Sequence, residues 1–344
     1  MIKFESIKEV TDFVSFDGSL MKQEIEHRKD PLTGVVATIN GYLGEKAKAF
    51  LGSKDTELLR EMEEKTRANC PFCVANKTGT RFSESFTEGG FLREGDSICV
   101  PNLFSKAKLD AVCIINIDKH LLNMKEYSNK DFYNALINCK RFIEKGKTYY
   151  NLPYHVLGMN FLHPGGSSVP HPHLQVHLRG FEYSGITKLI DLSKEFFIKT
   201  GENYWQQLLL KEKELGLRYI SDMGQVQWIV PFAPSHQKEI WGLVNGKSSI
   251  TELTEKEIHA ISEGISRALA FYEDEGNTFT FALLSSPDDH VNRYFSLQIR
   301  LCARPAFKSL FSNYDTWFNP MFVGEDVHTQ SPEEYGLRLK TYFI

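Results

Sequence analysis

Residues 169–180 read VPHPHLQVHLRG and place His171, His173, Gln175 and His177 at every second position. In an extended strand, side chains two apart share a face. One face therefore carries three imidazoles and an amide, and the other carries Pro172, Leu174, Val176 and Leu178, which reads as core. Imidazoles bind metals, move protons and attack electrophiles. A row of such groups needs partners, water, a metal or a substrate. A second chemical cluster is Cys70-Pro71-Phe72-Cys73, a C-x-x-C. By itself this spacing serves a zinc site or a redox pair, or arises by chance. A redox pair usually opens a helix in a thioredoxin-like unit, whereas this pair follows one. Two thiolates need two more ligands for a closed tetrahedral zinc site. His120, at the end of the strand INIDKH, is the third candidate, and His171 the fourth. Two free thiols are the alternative.

Between the two clusters lies HPGGSSVP, whose Gly165, Gly166, Ser167 and Ser168 can offer backbone N–H groups and hydroxyls to phosphate oxygens. A plain turn is the bland reading. A neutral imidazole is a good nucleophile near neutral pH when its other nitrogen donates to a fixed acceptor, which suits His173. Gln175 is neutral and can donate to a nonbridging oxygen without activating water. His177 either supports these groups or is solvated.

The elements that must position these residues are short strands and amphipathic helices. The segment DTELLREMEEKTRAN reads as a helix leading into CPFC. DSICVPNLF and AVCIINI read as strands. SNKDFYNALINCKRFIEKG is a helix with Ser128 as N-cap and Gly146 near its end. YHVLGMNFL is a strand before the HPGGSSVP loop, and residues 187–216 turn helical. The pattern then recurs. IWGLV matches VCIINI, and the capped helix after Thr254, with Glu257 completing a capping box, matches the first helix. FTFALLSS matches YHVLGMNFL, and RYFSLQIRL matches PHPHLQVHL. Anchoring Leu297-Gln298-Ile299 on Leu174-Gln175-Val176 sets Ser296 opposite His173, Tyr294 opposite His171, and Gly246 opposite His120. A fold shared by both copies does not require the histidines, so function is their reason for being there.

The chain has 344 residues, 42% of them hydrophobic and 24% charged, with net charge −4 and a sequence pI of about 6.3. No basic tail or run of like charge exists, which argues against nucleic acid or a membrane surface as partner. The opening MIKFESIKEV is not a signal peptide, and no apolar run is long enough for a membrane span. Six cysteines without an export signal predict reduced thiols in a cytoplasm.

HPHLQVH resembles the His-Pro-His-x-Gln motif of the galactose-1-phosphate uridylyltransferases, the transferase branch of the histidine-triad superfamily. RKDPLTG is similar to the family's Arg-x-Asn-Pro-Leu-Thr-Gly, CPFCVAN to its zinc Cys-x-x-Cys, and INIDKH to its strand-Asp-x-His turn. VPFAPSHQKEIW and the tail from MFVGEDV extend the resemblance along most of the chain. It implies an α+β fold of two histidine-triad-like halves related by internal duplication, each an antiparallel sheet with packed helices. The halves would span residues 1–185, with catalysis and zinc, and 186–344, without the histidines but with the tail. It implies zinc on Cys70, Cys73, His120 and His171. His173 would be the nucleophile and Gln175 its catalytic partner. Substrate would be bound by Arg28, Asn102, Asn160, Gly166 and Ser168. The implied activity moves a nucleoside monophosphate, UMP foremost, between a nucleoside diphosphate sugar and a sugar 1-phosphate, in a cytoplasmic homodimer.

Some positions depart from the pattern. Leu174 replaces a common Gly, and Ser296 and Gln298 replace the histidines of a second metal site. No basic residue follows PLTG closely, and the sugar-recognising tail is shortened around Glu325 and Asp326. An adenylyl-transferring phosphorylase acting on an ADP-sugar or a dinucleoside polyphosphate is the rival enzyme. A non-catalytic, zinc-stabilised nucleotide-binding protein is the rival from another class.

Overall fold

A computed structural model describes residues 2–44, 54–75, 79–121, 123–311, 313 and 315–344. Alternating apolar positions make a long antiparallel sheet. Its first-half strands are β4 (Leu92–Glu94), β5 (Ser97–Pro101), β6 (Leu109–Ile114), β7 (Tyr154–Asn160) and β8 (His173–Arg179). Its second-half strands are β9 (Tyr219–Met223), β10 (Val226–Ile229), β11 (Ile240–Val244), β12 (Thr278–Leu284) and β13 (Gln298–Arg304). The spatial order is β4-β5-β6-β8-β7-β12-β13-β11-β10-β9, and every recorded pairing is antiparallel. The order on one side of the β7–β12 pair mirrors the order on the other. Gln175 lies between Val112 and Gly158, and Gln298 between Leu243 and Leu284. The expected α+β architecture with antiparallel sheets is what forms, and one sheet runs through both halves.

Two long helices cover one face. In helix α2 (Asn129–Tyr150), Phe132, Ala135, Leu136, Cys139, Phe142 and Ile143 form a buried stripe at helical spacing. Helix α5 (Glu255–Asp274) buries Ile258, Ile261, Ile265, Leu269 and Tyr272 in the same way. Leu174, Val176 and Leu178 of β8 join this core, which turns His173, Gln175 and His177 to the opposite face. Both helices start in capping boxes, Ser128 with Asp131 and Thr254 with Glu257. Helix α2 runs a full turn past Gly146, to an αL cap at Asn151. Gly146 is a point of contact: a Cβ there would meet Leu178 Cδ2 at 2.6 Å and Leu109 Cδ2 at 2.9 Å.

Further α-helices among the described residues are α1 (Thr56–Arg67), α3 (Ser184–Thr200), α4 (Tyr204–Leu215) and α6 (Pro332–Lys340). The helical stretch expected over 187–216 is α3 and α4, separated at the αL residue Gly201. Leu189 of α3 and Tyr204, Trp205 and Leu208 of α4 pack on Trp241, Leu243 and Phe295, covering the second half's counterpart of the histidine face. A small sheet joins the termini: β1 (Glu5–Val14), β2 (Leu20–Lys29) and β3 (Val36–Ile39) are antiparallel, and β14 (Asp326–His328) pairs parallel with β3. No helix among the described residues is long and apolar enough to cross a membrane.

The join between halves depends on close backbone approach. A Cβ on Gly158 of β7 would sit 2.6 Å from the Phe281 carbonyl oxygen of β12. Gly158→Ala should therefore cost about 1–3 kcal/mol in urea unfolding, the range for overpacking. Trimming the Phe281 side chain should not relieve it, because the obstacle is backbone. An unchanged unfolding midpoint would refute so tight a join.

Candidate active site and metal centre

The C-x-x-C lies in the turn after α1. His120 follows β6 by a short loop, and His171 directly precedes β8. These three segments bring Cys70, Cys73, His120 and His171 together, with all four ligand atoms within 4.8 Å of one another. His171 Nδ1 is 3.6 Å from Cys70 Sγ and 3.4 Å from Cys73 Sγ, and His120 Nδ1 is 3.3 Å from Cys73 Sγ. Zn–S and Zn–N bonds of ordinary length in a tetrahedron imply S···N edges of about 3.6 Å, so the four side chains fit a tetrahedral metal. Both imidazoles are also correctly turned. His171 Nε2 donates to the Asn116 carbonyl at 2.9 Å, and His120 Nε2 donates to Thr66 Oγ1 at 2.9 Å, which leaves each Nδ1 lone pair facing the sulfurs. Burial lowers both imidazoles, His171 to about 4, and so keeps them neutral. Burial and the neighbouring Cys70 push the Cys73 thiol up to about 11. A cation between the sulfurs would remove that penalty.

Asn116 is itself held. Its side-chain amide donates to Asp131 Oδ1 at 2.7 Å, and Asp131 Oδ2 accepts from Lys119 and from Ser128 N and Oγ. Burial alone would raise the Asp131 carboxyl, but Lys119, Asn116 and Ser128 bring it below its usual range.

His173 is buried and its Nδ1–H donates to the His171 carbonyl at 2.8 Å. Nε2 then carries the lone pair, and among the described residues it has no hydrogen-bond partner. Burial lowers this imidazole, against the His171 carbonyl and with help from the Lys106 charge. The Phe72 ring, inside the C-x-x-C, meets it edge-on at 4.9 Å. Gln175, half-buried two residues on, accepts from Lys106 Nζ at 2.9 Å through Oε1. His177 Nδ1 lies 3.2 Å from the Tyr183 hydroxyl.

Asn160 ends β7, half-buried. Gly166, at φ +88, approaches it: a Cβ there would lie 3.8 Å from Asn160 Cγ. Ser168 is exposed, while Ser167 Oγ turns back to the Val169 carbonyl. The second half braces this loop, since Thr280 Oγ1 donates to the Gly165 carbonyl and Arg304 Nε to that of Pro164. Asn102 bonds Asp110 through Nδ2 at 3.1 Å and sits half-buried beyond β5. Arg28 is placed differently, in β2 of the small sheet. It is buried, paired with Glu26 and Glu333, and stacked on Phe232. None of its described contacts is with the histidine face. In the second half, Ser296 and Gln298 are buried, and Gln298 Oε1 accepts from Arg300 Nε at 2.9 Å.

Sequence reading did not find Phe72, Thr66, Asn116, Asp131 or Lys106. Asp131 has a local signal, the Ser-x-x-Asp of a capping box, but that predicts a helix start and no link to a metal ligand. Phe72, Thr66 and Asn116 sit within or four residues before the predicted ligands but match no ligand type, and Lys106 reaches Gln175 from a separate loop.

No protein-family model matches the chain. An uncharacterized protein of Archaeoglobus fulgidus is 26% identical over 328 residues, 94% of each chain. A solved ADP-glucose phosphorylase from Arabidopsis thaliana, with bound ADP-glucose, aligns at TM-score 0.68 and 14% identity over 92% of this chain and 98% of that one. A solved uridylyltransferase mutant aligns at TM-score 0.66 and 18% identity over 92% and 97%.

The chain has the uridylyltransferase fold.

Two outcomes test the centre built on this uridylyltransferase fold. Protein purified without added metal should contain one bound ion per chain by elemental analysis, and Cys70→Ser should lose it along with several kcal/mol of stability, since metal binding and folding are coupled. Full metal content and unchanged melting in that variant would reject the ligand set. The second outcome concerns pH. A depressed carboxyl stabilises the fold above its unfolded pKa of ~4, and this stabilisation is lost as pH falls through the folded value. The gap in melting temperature between wild type and Asp131→Asn should hold between about pH 5 and 7 and shrink below about pH 4. A gap that widens in acid would contradict the assignment.

Proposed function

We propose that the chain is a nucleotidyltransferase. It moves a nucleoside monophosphate, UMP foremost, between a nucleoside diphosphate sugar and a sugar 1-phosphate through a nucleotidyl-histidine at His173. The observation that carries this reading is the His173 tautomer: Nδ1–H is committed to the His171 carbonyl, so Nε2 is the nucleophilic nitrogen. Nε2 attacks the α-phosphorus, the bond to the β-phosphate oxygen breaks, and sugar 1-phosphate leaves with the electron pair. The incoming sugar 1-phosphate oxygen then attacks the same phosphorus and releases Nε2. Each step passes through a phosphorus centre with growing negative charge on its oxygens. The Gln175 amide and the Ser168 N–H and hydroxyl supply donors for that charge, whereas the Gly166 N–H is already given to the His163 carbonyl at 2.9 Å. Asn160 and Asn102 complete the substrate contacts. Arg28 would have to exchange its ion pairs with Glu26 and Glu333 to reach a phosphate.

In this reading the metal at Cys70, Cys73, His120 and His171 is zinc. When bound it supplies a structural tie and no chemistry on the substrate. The active unit is a homodimer in a reducing cytoplasm, in keeping with six free thiols. The mirrored strand order supports an origin of the two halves by internal duplication, with the halves divided near residue 185.

A second reading is favoured by the likeness to the ADP-glucose phosphorylase. There the transferred group is AMP and the acceptor is inorganic phosphate. One experiment separates the readings. The protein is incubated with UDP-glucose or ADP-glucose and its intact mass is measured. A uridylyl or adenylyl adduct on His173 names the group, and no adduct with either leaves a nucleotide-binding protein without this chemistry. His173→Ala should keep its metal and fold yet lose transfer by several powers of ten, because the covalent route is gone. Gln175→Ala should cost roughly 10²–10³-fold if the amide acts as an oxyanion donor. Near-normal exchange in His173→Ala, or an adduct mapping to His163 or His177, would overturn the assignment.

A further inference from the structure

We propose that Lys106 is a positioning residue for this transfer, setting the direction of the Gln175 amide. The inference rests on the roles given to His173 and Gln175 above. A glutamine amide has two ends of nearly equal shape and opposite function: the NH₂ donates and the oxygen accepts. Only the NH₂ end can bond a phosphate oxygen, and the carbonyl end would repel it. Gln175 does not carry that choice in its own covalent structure. Lys106 makes it, since an ammonium only donates and its Nζ lies 2.9 Å from one end of the amide. That end must be the oxygen, and the NH₂ is then the pole left for substrate.

The lysine is delivered by a built support. Asp110, buried on β6, lies opposite His177 in the ladder and so on the histidine face. Its Oδ2 accepts from the Lys106 backbone N–H at 2.6 Å, and its Oδ1 accepts from Asn102 Nδ2 at 3.1 Å. The Asn102 backbone N–H donates to the Asp110 carbonyl at 3.0 Å, closing residues 102–110 into a loop. A buried carboxylate thus holds the backbone of an exposed lysine where its side chain reaches Gln175. The same ammonium puts positive charge beside the strand that would face a diphosphate, in a chain with no basic residue soon after PLTG.

The test is a coupling measurement on the full-length, metal-loaded protein. Single-turnover formation of the His173 adduct is followed by intact mass, with UDP-glucose and ADP-glucose, in wild type, Lys106→Met, Lys106→Arg, Gln175→Ala and Lys106→Met/Gln175→Ala. Lys106→Met should slow adduct formation, by no more than the roughly 10²–10³-fold expected for losing an oxyanion donor. Its melting temperature should be unchanged. Lys106→Arg should recover most of the rate, because a guanidinium also only donates. In the Gln175→Ala background the lysine substitution should add little, since the two act as a unit. A wild-type adduct with no loss in Lys106→Met, or losses that multiply fully in the double variant, would overturn the inference alone. A wild type forming no adduct with either nucleotide sugar would overturn the functional reading and this inference with it.

Discussion

Every polar atom of His171 other than its backbone N–H is committed, and the site depends on that arrangement. Its Nε2–H goes to the Asn116 carbonyl, its Nδ1 faces two sulfurs, and its own carbonyl accepts from His173. One residue therefore links the metal group to the tautomer of the proposed nucleophile. A shift of the ring toward or away from the sulfurs would carry the backbone on which His173 depends. The support continues inward through Asn116 to Asp131, whose other oxygen caps helix α2. The longest helix of the first half and the histidine strand are thus registered against each other by hydrogen bonds as well as by apolar packing.

The two halves show what the architecture demands and what it leaves open. Both bury Leu/Ile/Val faces of their strands under a capped helix. On the other face they diverge. In the second half, Trp205, Tyr204 and Leu189 close over the sheet, and Gln298 and Arg300 bond each other. In the first half the same face carries imidazoles and an amide. Its polar groups bond to backbone carbonyls, a lysine and a tyrosine. The larger core lies under the helices on the opposite side of the strands, and on the histidine face a smaller apolar cluster of Ile98, Val100, Val112 and Ile114 sits beside the polar groups.

Much of this was legible in the sequence because it follows local rules. Alternation along residues 171–178 separated core from site, and the C-x-x-C spacing with two histidines near strand ends anticipated the four side chains that the fold brings within reach of one metal ion. The N-cap at Ser128 and the capping box at Thr254 marked both long helices. Gly146 was misleading because a glycine that ends a helix and one that lets a helix approach a strand look alike until Leu178 is seen filling the gap. Lys106 carried no signal at all: its loop is exposed, and its link to Gln175 spans 69 positions. The burial of Arg28 likewise depends on Glu333, at the other end of the chain. Neither strand periodicity nor a motif encodes such pairings.

The parallel pairing of β3 with β14 has a consequence for how the molecule is made. Residues 37–39 pair with residues 326–328, about 290 positions later. At bacterial to eukaryotic synthesis speeds that interval is roughly 15–60 s. During it the amino-terminal hairpin has been translated but lacks its fourth strand. Ile7, Val10, Phe13 and Leu20 on that hairpin remain exposed even in the finished fold. The nascent chain thus carries a partly apolar, open-edged sheet for most of its time on the ribosome. Until residues 326–328 emerge, the free edge of β3 has no strand to pair with.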